Sequence, residues 1–370
     1  MPEAISIADP RMGRVDTLVQ TGVKDRVFPG AVLLVGHRGD IVHHRAYGCA
    51  DLASGEAVTC RTVFDLASLT KPLATTLAVL LLVQQGVVEL DRPLVDMAPD
   101  LAGDDKKKVT LRHLLSHCSG LPPTRPYYFR LCRLARADRT DTLKRWVRAE
   151  PLLCAPGAKE DYSDLGFMLV QWLVEQYSGL SLDRFVARKI YRLLDIDPPF
   201  FVPLDREAAP GIRFAATELC PWRGVLLKGQ VHDDNAYAMG GIAGHAGLFA
   251  TAQAVFDLMQ WLLDVDSGAD RHGLFEPGCI RTFFQRQRLG RFALGFDTPS
   301  PVGSSAGRYF SPDSIGHLGY SGTSFWADRR KRVIVVLLTN RVHPTRFNPG
   351  IKAFRPLLHD AVMRALNLDR

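Results

Sequence analysis

The sequence predicts an α/β fold: an antiparallel sheet flanked by helices, with an all-helical domain inserted between its strands. Three observations carry this. Two strand-like segments joined by a tight turn lie near the start, Pro29 to Arg38 and Ile41 to Gly48. Two more lie near the end, Thr323 to Asp328 and Val333 to Asn340. Between these ends, about residues 75–290 read as mostly helical. The chain has 370 residues, enough for two domains or one with a large insertion. The expected division is 1–75 and 290–370 for the α/β sandwich, and 76–289 for the helical insertion.

Taken in order, a helix over about 10–26 precedes the first strand pair, whose turn is expected at Gly39-Asp40. Leu73 to Gln85 is apolar and stops at Gly86, a natural helix C-cap. Thr110 is positioned to cap a short helix to His117. Leu165 to Tyr177 is amphipathic and stops at Gly179; Thr251 caps Ala252 to Leu263. The run Val333 to Leu338 is unbroken and apolar, as in a central strand buried on both faces. A last helix, about 352–367, covers the sheet.

Hydrophobic residues make up 46%, an ordinary globular value. No run of about 18 uninterrupted apolar residues suggests a membrane span, and Leu77 to Val83 reads as a buried helix. The first twenty residues lack an apolar segment behind a basic start. No signal peptide and a cytoplasmic location are therefore expected; a longer natural N-terminus would reopen a periplasmic or secreted one. The seven cysteines are scattered without a CxxC pair, which suggests neither a disulfide framework nor a zinc site. The net charge is +7, with basic runs at Lys106–Lys108 and Arg329–Arg332, but no nucleic-acid-binding motif accompanies them. A solvated surface is expected, whose field favours anionic substrates.

Chemistry is concentrated in three short motifs. Ser68-Leu69-Thr70-Lys71 lies where a strand-like segment gives way to a helix. Residues three apart share a helical face, so the Lys71 ammonium can reach the Ser68 hydroxyl. A serine is a poor nucleophile until a base takes its proton, and a lysine of lowered pKa among apolar residues can do so. Tyr162-Ser163-Asp164 follows, just before a helix. Tyr162 can pass a proton if Lys71 lowers its pKa. Asp164 can bond Lys71, hold a substrate amide or cap the helix. The third motif is His317-Leu318-Gly319, then Tyr320. Gly319 leaves room for substrate backbone, the Tyr320 N–H joins that of Ser68 as an oxyanion donor, and His317 offers a donor to a substrate carboxylate.

In this order and spacing, S-x-x-K, Y-S-D and H-x-G resemble the three-motif signature of class C β-lactamases, penicillin-binding proteins and related esterases. The segments Val109 to Pro122 and Gly244 to Leu262 also look like that family, so the resemblance spans nearly the whole chain. It implies a β-lactamase/transpeptidase-like fold. It also implies Ser68 as nucleophile, Lys71 as partner base and Tyr162 as general acid/base, with His317 and Gly319 lining the third wall. Which of Lys71 and Tyr162 takes the first proton stays open. Asp164 stands where the family usually has Asn, and His317 where β-lactamases have Lys.

The expected activity is hydrolysis of a small ester, amide or peptide through an acyl-serine, of the esterase or D-Ala-D-Ala carboxypeptidase type, with no cofactor or metal. A β-lactamase is one alternative; a penicillin-binding, sensor-like module without turnover is another. The segment Val231 to Ala236 with His245 invites a metal or triad reading, but fits no standard zinc spacing and lacks a G-x-S-x-G elbow. A structured loop at the cleft edge is expected there. Oligomeric state is not legible.

Overall fold

A computed structural model describes residues 7–206 and 208–370; residues 1–6, the start of the first expected domain, lie outside the described residues. The main sheet has seven strands: β1 (Ile7–Ala8), β2 (Gly30–His37), β3 (Asp40–Asp51), β4 (Glu56–Ala57), β5 (Ile315–Leu318), β6 (Ser324–Asp328) and β7 (Val333–Thr339). The order is β1-β3-β2-β7-β6-β5, with β4 on the end of β3, and every pairing is antiparallel. The chain ends therefore meet at the centre, where Val35 lies opposite Val335. The β2–β3 turn falls one residue earlier than expected. Arg38 (φ 57°) and Gly39 (φ 95°) supply the two positive φ angles of a tight hairpin, while Asp40 already pairs with His37.

Five helices set the layers: α1 (Gly13–Lys24), α2 (Leu77–Gln84), α3 (Asp164–Ser178), α4 (Ala252–Ser267) and α5 (Ile351–Ala365). Leu33, Val35, Val333, Val335 and Leu337 point to one face and pack with Val15, Val19, Phe354 and Leu358 of α1 and α5. The alternate residues Val32, Leu34, Ile334, Val336 and Leu338 join a second core with α2, α3 and α4. Both faces are covered, which is why β7 is apolar throughout despite its antiparallel neighbours. At β2 the covering helix comes so close that a Cβ on Gly36 would lie 2.1 Å from Phe256.

The stretch between β4 and β5 is mostly helical but not wholly so. Phe64–Asp65, Leu248–Ala250 and Phe200–Phe201 form a three-stranded sheet, and Ala216–Cys220 pairs with Val225–Lys228. Its apolar runs are too short for a helix of their own, and Phe200, Phe214 and Phe249 pack as a separate cluster. The stretch Ala67–Gln84 is long and apolar enough to cross a bilayer, but 83% of it is buried inside the protein. All seven cysteines are free thiols.

Candidate active site

The segment carrying the first motif changes pitch twice. A 3-10 turn, Ala67–Leu69, leads into a wide π turn, Lys71–Thr76, and then into α2. Wide turns of this kind recur at functional sites. Ala67 takes φ 48°, a strained value for a residue with a side chain. The strain is held from below: the buried Asp65 carboxylate accepts the Ala67 N–H at 2.8 Å and the His232 N–H at 2.7 Å. Ser321 and Thr323 hydroxyls fix the Asp65 and Leu66 carbonyls at 2.7 and 3.1 Å. The result presents Ser68, half-exposed, at the floor of a cleft.

Lys71 is fully buried. Its ammonium donates to Ser68 Oγ at 3.0 Å, Asp164 Oδ1 at 2.7 Å and the His245 carbonyl at 3.1 Å. It also lies 4.8 Å from the centre of the Tyr162 ring. Burial alone would push the lysine pKa down, but Asp164 and then Tyr162 outweigh it, and the pKa is raised. The expectation of a lysine with lowered pKa is therefore corrected: the aspartate one bond away holds it as an ammonium. Asp164 is free for this because Ser163, not Asp164, caps α3, its hydroxyl accepting the Gly166 N–H at 3.3 Å. Tyr162 is also held protonated. Burial raises its phenol pKa; Lys71 and Ser68 pull against that rise, and the net shift is upward.

His317 sits on β5, buried, with Nδ1 3.0 Å from the Leu318 carbonyl. A carbonyl only accepts, so the ring proton is on Nδ1 and Nε2 is an acceptor. Burial, then the Lys71 charge, lowers the imidazole pKa to about 3. The expected donor to a substrate carboxylate is thus corrected to a neutral acceptor. Gly319 is small for another reason than expected: a Cβ there would meet Thr323 Oγ1 at 2.0 Å and the Leu66 carbonyl at 2.6 Å. Its bareness lets the third motif seat against the serine turn. The Tyr320 N–H has no acceptor among the described residues, and the Ser68 N–H lies in a first helical turn, where none is available. Both amides fit the expected oxyanion donors.

Sequence reasoning missed three contributors. Asp65 carried a weak signal, standing two residues before the strained Ala67. His117 stacks on Tyr162 at 4.3 Å, with its Nδ1 accepting the Ser163 N–H at 3.0 Å. It lies in the family-like segment quoted above, without a role assigned. The His245 carbonyl left no signal, because any residue supplies a carbonyl. The His232, Asp233 and His245 side chains do not gather at one point: Asp233 pairs with His245 at 3.0 Å, while His232 Nε2 turns to Glu218 at 3.2 Å.

Two pockets meet at Ser68. One is cationic, lined by Arg291, Arg341, Lys352 and Arg355 with Asp297 as its only carboxylate. Arg341 and Arg355 spend their protons on backbone carbonyls, among them Tyr320, Gly319 and Thr323. Their charges are therefore not cancelled. The other pocket, walled by Thr124, Tyr128, Asn235 and Arg346, has its charges paired. There Arg346 holds Glu218 and Asp234, and Asp234 also holds Arg223.

A family model described as Beta-lactamase matches residues 15–358. Proteins named "Putative D-alanyl-D-alanine carboxypeptidase" from Salmonella agona (strain SL483) and Salmonella typhimurium (strain LT2) are each 31% identical over 380 residues, covering 95% of this chain and 87% of theirs. Among solved structures, EstCE1, a hydrolase with promiscuous acyltransferase activity, matches with a TM-score of 0.72 at 22% identity, over 95% of this chain and 98% of that one. Unliganded simvastatin synthase (LovD) from Aspergillus terreus matches with a TM-score of 0.71 at 21% identity, over 96% of this chain and 98% of that one. At these identities the two structures speak for the fold alone.

Proposed function

The chain belongs to the β-lactamase family of serine hydrolases, and we propose that it hydrolyses a small amide, peptide or ester through an acyl-Ser68 intermediate. The observation that carries this reading is the 3.0 Å contact of Lys71 Nζ with Ser68 Oγ at a strained turn. The Ser68 oxygen attacks the carbonyl carbon, and the developing oxyanion takes the Ser68 and Tyr320 N–H groups. Tyr162, protonated at rest, gives its phenol proton to the leaving group as it takes that of Ser68, and the Lys71 ammonium beside it stabilises the negative charge that develops on the phenol oxygen between the two transfers. Water reverses the sequence: it loses a proton to Tyr162, displaces the acyl group as an acid, and Ser68 recovers its hydrogen.

The cationic pocket favours substrates with a carboxylate near the scissile bond. That agrees with the carboxypeptidase name of the Salmonella relatives, and places peptides ending in a free carboxylate ahead of neutral esters. A dedicated β-lactamase is less well supported, because His317 offers the cleft a neutral acceptor rather than a cation. The test is intact-mass spectrometry after mixing with a nitrophenyl ester, with a D-Ala-D-Ala peptide and with penicillin. A transient adduct on Ser68, absent in Ser68→Ala, is expected. A persistent adduct without turnover would replace the hydrolase with a sensor-like module, and none with any probe would overturn both.

A further inference from the structure

We propose that Asp297 is a positioning residue that holds Arg291 against the wall of the cationic pocket. On this view the pocket's grip on a substrate carboxylate depends on whether the pair is made. The inference rests on the reading of Ser68 as nucleophile.

Asp297 is 4% exposed, and its Oδ1 has no hydrogen-bond partner. Its backbone is pinned, with the amide donating to Gly316 O at 2.7 Å and the carbonyl accepting the Gly316 amide at 2.9 Å. The backbone that carries the carboxyl group is therefore fixed beside β5. Arg291 Nε lies 3.2 Å from Oδ1, close for an ion pair but not aligned as a hydrogen bond. The arginine side chain is 43% exposed and lines the same pocket as Ser68, His317 and Lys352. A buried carboxylate on a pinned backbone thus faces a half-exposed cation. Free of Asp297, that cation can turn to a bound carboxylate.

Protonation is the natural way to free it. Burial raises the Asp297 carboxyl to about 7; Arg291 and Arg286 oppose the rise and Glu160 adds to it. These groups come from the loop after residue 285 and from the segment before Tyr162. From β5 the facing titratable group is His317, which stays neutral in this range because it titrates near about 3. Lys352 and Arg355 of α5 complete the charged surround. Above neutrality Asp297 is an anion and retains Arg291. Below it the carboxyl is neutral, Arg291 is released, and the pocket gains one available positive charge.

The test uses 4-acetoxybenzoic acid and its methyl ester, one scaffold with and without a charge. The acid is ionised throughout pH 6–8, because such a carboxyl titrates near about 4. In the wild type, KM for the acid should fall by about fivefold to tenfold from pH 8 to pH 6, the low end of typical coupling between sites. KM for the methyl ester should not follow. Asp297→Asn should show the low acid KM at every pH. Arg291→Gln should show the high one at every pH, and it carries the test if the buried substitution fails to fold. A wild-type pH slope retained in either folded variant overturns the inference. So does an acid-to-ester ratio in Arg291→Gln equal to that of the wild type. If the methyl ester still leaves a Ser68 adduct by intact mass, only the Asp297–Arg291 inference falls. If it leaves none, the nucleophile reading falls with it.

Discussion

Two lysines among the described residues are fully buried, and their surroundings differ in one respect that matters. Lys71 and Lys106 each direct the ammonium at three acceptors, one of them a neighbouring aspartate. For Lys106 the others are the Arg148 and Glu150 carbonyls at 3.0 and 2.6 Å, at the end of the helix Arg136–Ala149. There the cation satisfies carbonyls left over at a helix C-terminus and complements its dipole. For Lys71 one acceptor is a hydroxyl open to the cleft, and a phenol lies beside it. Burial and full pairing are common to both. What separates the two is an acceptor that can itself react.

That contrast can be broken most severely at Ser68. Ser68→Ala should lower kcat by at least about 10^4, the usual scale for a lost nucleophile, with circular dichroism unchanged. Activity within tenfold of wild type would leave Lys71 no different in kind from Lys106. The paired substitutions come next. Lys71→Met should abolish turnover in folded protein. Lys106→Met should cost about 1–3 kcal/mol in denaturant unfolding, since it leaves the Arg148 and Glu150 carbonyls without their donor, while the folded fraction keeps its kcat. The reverse pattern would exchange the two roles.

A smaller effect sharpens the electrostatics. Asp164 raises the Lys71 pKa against the pull of burial, and it also adds to the rise at Tyr162. Asp164→Asn removes both influences, so the alkaline limb of the pH–rate profile should begin at lower pH. An unmoved limb in stopped or continuous ester assays would assign Asp164 to substrate contact instead. The smallest expectation concerns His317. Because its imidazole titrates near about 3, His317→Gln should leave the slope of KM against pH between 6 and 8 as in the wild type, whatever it does to the rate. A slope lost in this variant would return the reading of substrate charge to His317.

Much of the fold was legible because it follows from short-range pattern. The alternation in β2, the unbroken run in β7, Thr110 and Thr251 as caps and Gly179 as a stop all appear in place. The two small sheets between β4 and β5 were not, since two- to five-residue strands carry no period to read. At the site, Ser68, Lys71, Tyr162, Asp164, His317, Gly319 and Tyr320 do come together around one cleft. Their protonation states were not legible, because they depend on burial and on distances across the chain. Lys71 and Asp164 are 93 residues apart in sequence and 2.7 Å apart in space.

The central pairing of β2 with β7 has a consequence for synthesis. Strand β2 emerges from the ribosome early, yet its partner Val333–Thr339 is nearly the last segment made. At ordinary elongation rates the wait is on the order of half a minute. During that time Gly30–His37 offers an apolar edge that only later residues can cover, a template for pairing with other chains. The cleft is equally late, since the Ser68 turn is braced by Ser321 and Thr323. A chain that stops short of Ser321 has every residue of the first two motifs but lacks the two hydroxyls that brace the Ser68 turn. The turn that holds Ser68 is thus completed only by residues made near the end of synthesis.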